Sequence, residues 1–274
     1  MIKNIIFPGG GLRCWAYIGT IRALYEHKTP DLEHIVGTSA GSFFGCMFIL
    51  GISWEFLLEF FVNLNLQEVI DIDINNILVQ ESLLAGIKFT QIMKELISYR
   101  VDPDITFKDL FCYSKITFTV NALNINTGIL ENFNYLLTPD IKVVDAIRAS
   151  CSLPFIFPPY RINGDLYYDG GLCNNCPVDI VEELSTIAFD ITCPTERNTN
   201  KLNLLNLMDS LINLVNKTHY TENSIVYNIL DITFKGESFN FNQSRDDIFN
   251  MYMTGYINSR NILFNHCIAI ENTK

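Results

Sequence analysis

Apolar and polar positions along the chain switch repeatedly between the two-residue period of strands and the three-to-four-residue period of helices. Residues 2–7 predict a short buried strand, closed by Pro8 and the run Gly9-Gly10-Gly11. Helical spacing follows over 12–27, with Trp15, Ile18, Ile21 and Leu24 in one stripe, and Thr29-Pro30-Asp31 ends it. A strand over 34–36 leads through Gly37-Thr38-Ser39-Ala40-Gly41 into an apolar helix that reaches about Leu50. Residues 52–110 read mostly as helices, 54–63 and 90–99 among them, with a polar bend over 71–76. Alternation returns over 115–121, and Asn126-Thr127-Gly128 predicts a hairpin-like turn into a strand over 129–133.

A short helix over 143–150 comes next. Pro154, Pro158 and Pro159 then force an extended crossing into a strand over 166–168 that ends on Asp169-Gly170-Gly171. A further strand is expected over 187–191. In the tail a helix is expected over 202–216, a strand over 229–234 and a last helix over 246–264. Strands alternating with helices specify an α/β class with a mostly parallel central sheet. No repeat, low-complexity tract or linker interrupts the sequence. The expectation is one domain over residues 1–274, its core motifs within 4–190 and a looser extension, 197–274, packed on the same domain.

Composition narrows the function. With 49% hydrophobic and 18% charged residues the chain is a packed globular protein. A net charge of -11 argues against nucleic acid, which wants a basic face, and against electrostatic capture by anionic lipid. Any peripheral membrane contact would have to be apolar. The first residues show no charged, apolar and cleavage regions of a secretory signal, and the 8 Cys are scattered as reduced thiols would be. Both features point to an intracellular, cytoplasmic or peripherally membrane-associated protein. Residues 35–54 carry no charge, yet glycines and serines dilute them, so a buried strand-turn-helix is expected there and not a membrane span.

Three segments carry chemistry. Gly37-Thr38-Ser39-Ala40-Gly41 is a G-x-S-x-G between strand and helix, the context in which a serine sits exposed on a sharp turn as a nucleophile. Gly37 and Gly41 remove side chains that would block the turn. Gly9-Gly10-Gly11-Leu12-Arg13 offers bare backbone N–H groups at a helix start, suited to an oxyanion. The rival reading of this run is a nucleotide cradle. Cys14 holds the third glycine position of such a motif, and no Walker lysine follows. Arg13 orients the loop, holds a lipid phosphate, or makes a surface ion pair. Asp169-Gly170-Gly171 is a tight turn in isolation. It gains weight because the 4 His lie in no compelling motif, leaving a carboxylate as the alternative base.

These segments, with Asp145-Ala146-Ile147-Arg148-Ala149-Ser150-Cys151-Ser152-Leu153-Pro154 and the stretch from Tyr168 to Val178, resemble patatin-like phospholipases in order and rough spacing. The resemblance covers about residues 4–190 closely and the tail from Arg197 more loosely. It implies a three-layer α/β/α fold and lipid acyl hydrolysis by a dyad, with Ser39 as nucleophile and Asp169 as base. It also implies an oxyanion hole from Gly9, Gly10 and Gly11, support from Gly170 and Gly171, a lipid substrate at a membrane or micelle surface, and no metal or cofactor. Cys14 departs from the family, which usually has glycine there.

Two function readings stay beside it: a Ser-His-Asp α/β-hydrolase recruiting His219 or His266, and a silent member that binds lipid or protein. Cys173 and Cys176 are read as structural thiols, since no second pair completes a zinc site. Trp54, Phe56, Leu57, Leu58, Phe60 and Phe61 form either an acyl-binding or membrane-docking face or ordinary core. Asp71, Asp73 and Asn75 lack the register of a calcium loop.

Overall fold

The computed structural model describes residues 2–29, 31–69, 71, 82–182, 185–191, 225–230 and 242–271. Its first strand, β1 (Asn4–Phe7), ends at the glycine run, where a 3-10 turn (Gly11–Trp15) feeds α1 (Ala16–His27). Strand β2 (His34–Gly37) leads into α2 (Ala40–Ile49), followed by α3 (Trp54–Asn63) and the single turn α4 (Leu66–Val69). Helices α5 (Ile87–Ser98) and α6 (Phe107–Ser114) precede strands β3 (Thr117–Asn124) and β4 (Ile129–Phe133). Then come α7 (Val143–Ser150), β5 (Tyr160–Ile162), β6 (Asp165–Asp169), β7 (Thr186–Asp190), β8 (Val226–Asn228) and α8 (Arg245–Glu271).

The described strands form one sheet in the order β5-β6-β3-β2-β1-β7-β8, with β4 on the other edge of β3. It is parallel from β3 through β8 and antiparallel around β4, β5 and β6, so the α/β class expected from the sequence takes the form of a mixed sheet. Alternate residues divide the core between the two faces. Ile5, Phe7 and Ile35 join the large cluster beneath the helices, whereas Ile6, Val36 and Ala188 face a small cluster closed by Cys176 and flanking valines.

Strand β3 is the element that sets up the site. Its residues 117–120 pair with β2, and Ala122, Leu123 and Asn124 pair with β6. Val120 also pairs with β4, as do 122–124, so β2 and β6 share the opposite edge. The two run toward each other along it. Gly37 pairs with Val120 and Asp169 with Ala122, only two residues on. At about 3.3 Å per residue, the ends of the two strands are set roughly 7 Å apart along β3. The chain cannot continue straight there, and it turns out at residue 38 on one side and residue 170 on the other.

Helix α8 packs along α1 through small residues: a methyl added at Gly19 would run into the backbone of Tyr252, and one at Gly255 into the carbonyl of Ala16. The Thr20 and Ser259 hydroxyls share a buried hydrogen bond of 2.9 Å at this crossing. The aromatic segment of α3 packs on the core, with Trp54, Phe56, Leu58 and Phe60 half-buried against it. Leu57 and Phe61 are buried, Trp54 stacks on Tyr252 at 5.7 Å, and the Arg22 guanidinium lies over Trp54 at 4.5 Å.

Several boundaries differ from expectation. Of the strand expected over 229–234 only Ile229 and Leu230 are described, and they follow the end of β8 at Asn228; residues 231–234 lie outside the described residues. The expected helix over 202–216, Asp73 and Asn75 also lie outside them. The crossing after Pro158 and Pro159 contains a strand, β5, in place of plain extended chain. Among the described residues no helix is long and apolar enough to cross a membrane.

Candidate active site

Ser39 stands between β2 and α2 with φ 50° and ψ -132°, a left-handed conformation that a residue with a side chain rarely adopts. Such a turn swings the side chain clear of the strand and leaves the hydroxyl at the sheet edge. Gly41 makes it feasible, because any side chain there would collide with the carbonyl oxygens of Phe7 and Pro8. The Ser39 N–H donates to Ser150 Oγ at 2.8 Å, and the Ser42 hydroxyl donates to the Ser39 carbonyl at 2.6 Å.

Asp169 arrives from the end of β6, 130 residues away in sequence. The Ser39 hydroxyl donates to Asp169 Oδ2 at 2.6 Å, and Asp169 Oδ1 accepts from the Gly171 N–H at 2.8 Å. The Asp169 N–H donates to the Ser152 carbonyl at 2.9 Å. One short segment at the end of α7 therefore holds both partners, Ser150 the serine and Ser152 the aspartate. Neither was singled out on the sequence as a positioning residue. The only signal was their place in the block from Asp145 to Pro154.

Electrostatics favour a proton acceptor. Asp169 is 3% exposed, and burial pushes its carboxyl up to about 7, against the lowering effect of the hydrogen bonds from Ser39 and Gly171. An ionised carboxylate in water is a weak base; one held near neutrality matches the working range of a general base. The neighbouring Cys151 thiol is pushed far up by burial and by the Asp169 charge, so it stays protonated.

The glycine run lies beside this pair. A methyl on Gly9 would come within 2.8 Å of Ser39 Cβ. Asn175 clamps Gly9 from both sides: its Oδ1 accepts the Gly9 N–H at 3.1 Å, and its Nδ2 donates to the Gly9 carbonyl at 3.0 Å. Of the three glycine amides expected to face an oxyanion, that of Gly9 is therefore engaged by a side chain. The N–H groups of Gly10 and Gly11 donate to no group among the described residues. Arg13 is 1% exposed, which removes the surface ion pair from its possible roles. Cys14 is buried in the 3-10 turn, where its small side chain fits the departure from glycine. Gly37 packs against Ser42, and Gly170 against Asn121.

The histidines lie elsewhere. His34 is at the far end of β2, its Nε2 2.7 Å from Thr119 Oγ1, and burial pushes it down to about 4. His27 ends α1, and the side chains of His219 and His266 lie outside the described residues. Cys173 and Cys176 form no disulfide, and no group of three metal-ligating side chains occurs among the described residues.

A family model described as patatin-like phospholipase matches residues 5–181. The chain belongs to that family. Among its relatives, the probable lipid hydrolase 463L of Invertebrate iridescent virus 6 is 28% identical over 190 residues, covering 65% of this chain and 62% of that protein. Patatin-like phospholipase domain-containing protein 7 of Rattus norvegicus is 27% identical over 205 residues, 68% of this chain and 13% of that protein. The chain thus spans less than two thirds of either relative. Among solved structures, VipD from Legionella pneumophila superposes with a TM-score of 0.67 over 97% of this chain and 67% of its own, at 16% identity, a likeness of fold. In this patatin-like chain, the matched residues 5–181 contain Ser39, Asp169, the glycine run and Asn175.

Proposed function

We propose that the protein is a lipid acyl hydrolase that cleaves carboxylic esters through a Ser39–Asp169 dyad. The observation that carries the reading is the 2.6 Å hydrogen bond from the Ser39 hydroxyl to a buried carboxylate held near neutrality. The Ser39 Oγ attacks the acyl carbonyl while Asp169 Oδ2 takes its proton. The amides of Gly10 and Gly11, at the start of a helical turn, hold the oxyanion that forms. As the tetrahedral intermediate collapses, Asp169 returns the proton to the departing alcohol oxygen and leaves an acyl-serine. Water then attacks the acyl-serine, again giving a proton to Asp169; as this second intermediate collapses, Asp169 returns that proton to Ser39 Oγ, and the carboxylic acid leaves with the serine and the carboxylate restored.

The lipid half of the reading is supported by family membership and by the description of the viral relative as a probable lipid hydrolase. The apolar, acidic character of the chain favours an uncharged or zwitterionic substrate over a strongly anionic one. Purified Ser39→Ala and Asp169→Asn should each lose at least about 1000-fold in esterase turnover. A fluorophosphonate probe should label the parent and not Ser39→Ala. Near-normal turnover in either variant would sink the dyad. Replacing His219 and His266 together with Gln should leave turnover intact, whereas a histidine-based triad would lose it.

A further inference from the structure

The mechanism leaves one group of side chains unexplained. Leu83 is 40% exposed, Ile87 62% and Phe155 42%, although all are large and apolar. They are not scattered. The Leu83 N–H donates to the Phe155 carbonyl at 2.8 Å and the Leu84 N–H to the Ile156 carbonyl at 2.9 Å, which zips the two segments together. Phe89 and Phe157 stack behind them at 5.7 Å, and Asp71 caps the start of α5 by accepting the N–H groups of Gly86, Ile87 and Lys88. Phe155 is held at φ 67°, a conformation bulky residues rarely take.

This rim adjoins the dyad. Phe155 lies three residues beyond Ser152, whose carbonyl holds Asp169. Gly86 packs against the buried guanidinium of Arg148, which lies over the Phe157 ring at 4.4 Å and donates to Ser152 Oγ at 2.8 Å. Charge sets the rim apart as well. Residues 82–93 and 151–164 themselves contain Lys88 and Arg161 and no Asp or Glu, and the carboxylate that reaches them, Asp71, is taken up by the N–H groups of Gly86, Ile87 and Lys88. Other exposed apolar side chains, such as Leu136 and Leu137, sit in a stretch that carries Glu131 and Asp140.

We propose that Leu83, Ile87 and Phe155 form a docking rim that seats the protein on a zwitterionic phospholipid surface. The choice of partner rests on the acyl hydrolase reading. Apolar side chains enter the interfacial region, the exposed Arg161 meets headgroup phosphates, and the net charge of -11 disfavours an anionic leaflet. The outcome is a dyad held close to the lipid from which an ester must be drawn.

The test uses the full chain carrying Ser39→Ala, so that binding is read without turnover. In flotation with phosphatidylcholine vesicles the Ser39→Ala protein should co-migrate with lipid. Adding Leu83→Ser, Ile87→Ser and Phe155→Ser should lower its partition at least tenfold, with a cooperative thermal melt showing that it folds. Separately, Ile87→Trp should shift its emission to the blue on vesicle addition and be quenched by brominated lipid. A Ser39→Ala protein that stays with the unbound fraction, a triple variant that floats like it, or an unshifted Trp emission would overturn the rim. Loss of the catalytic reading would show separately, as an absence of fluorophosphonate labelling in the parent.

Discussion

Asp169 has to be buried to be a useful base and ionised to act as one, and these demands meet near pH 7. Burial drives its carboxyl up to about 7, while Ser39 and Gly171 hydrogen bonds oppose the rise. The ionised form is the one that accepts the Ser39 proton. Esterase kcat/KM should therefore climb as pH rises through about 7 and level off above it; a profile flat from pH 5 to 8 would contradict the assignment. Ser150 makes a second test. Its hydroxyl accepts the Ser39 N–H, so Ser150→Ala strands a donor at a strained turn. A stranded donor costs about 1–3 kcal/mol, and felt in the transition state that range corresponds to a fall in kcat of roughly 5- to 150-fold. KM should hold, and Ser150→Thr should recover most of the rate. Equal losses in Ala and Thr variants would reduce Ser150 to a packing residue. The sequence made Ser39 legible because a nucleophile turn needs glycines at fixed offsets. Asn175 and Ser150 stayed hidden because each acts on backbone groups far away in the chain, and no local pattern marks such partners.

Elements with strong periodicity or firm punctuation were readable before any coordinates. Residues 54–63, 129–133 and 143–150 form the expected elements with the expected ends, because Ser53 caps α3 and a defined turn precedes β4. Strand β5 was obscured by the prolines before it, although Asn163-Gly164 is the two-residue hairpin signal that joins it to β6. Its positive φ values, 50° and 101°, match that turn. The contact of α8 with α1 was not legible, since no local pattern around Gly19 or Gly255 marks the place where the two backbones meet. That contact yields a prediction at this scale. Gly255→Val would press a branched side chain into the Ala16 carbonyl, and overpacking of this kind costs about 1–3 kcal/mol or more. For a chain this long, a fall in Tm of several degrees is expected, on the order of 2–4 °C per kcal/mol. Because α1 is joined to the glycine run by the single 3-10 turn Gly11–Trp15, turnover should decline as well. An unchanged melt would show that the helices can part without consequence.

Taken over the whole molecule, a carboxylate that has to be ionised in a buried site for catalysis works against stability, and the sign can be worked out. Unfolded, Asp169 would titrate at about 3.9, whereas in the fold it titrates near 7. Between those values the native state holds a proton that the unfolded state has released. Stability from this group is therefore fully present below about pH 4 and is lost as pH rises through 7. The displacement amounts to roughly 4 kcal/mol at about 1.4 kcal/mol per pH unit, an upper bound for a site that can relax. The other Asp and Glu residues, part of the 30 that set the net charge, also titrate on acidification, so the pH course of the parent alone cannot isolate Asp169. A difference between two proteins can. Asp169→Asn keeps the shape, can still accept from Ser39, and never has to bury a charge. Relative to the parent, its Tm advantage should be small at pH 4.5, grow up to pH 7 and stay constant beyond, while its turnover is abolished. A Tm difference that is flat across this range, or that falls as pH rises, would show that Asp169 is already ionised in the fold at low pH, and the near-neutral base would have to be given up.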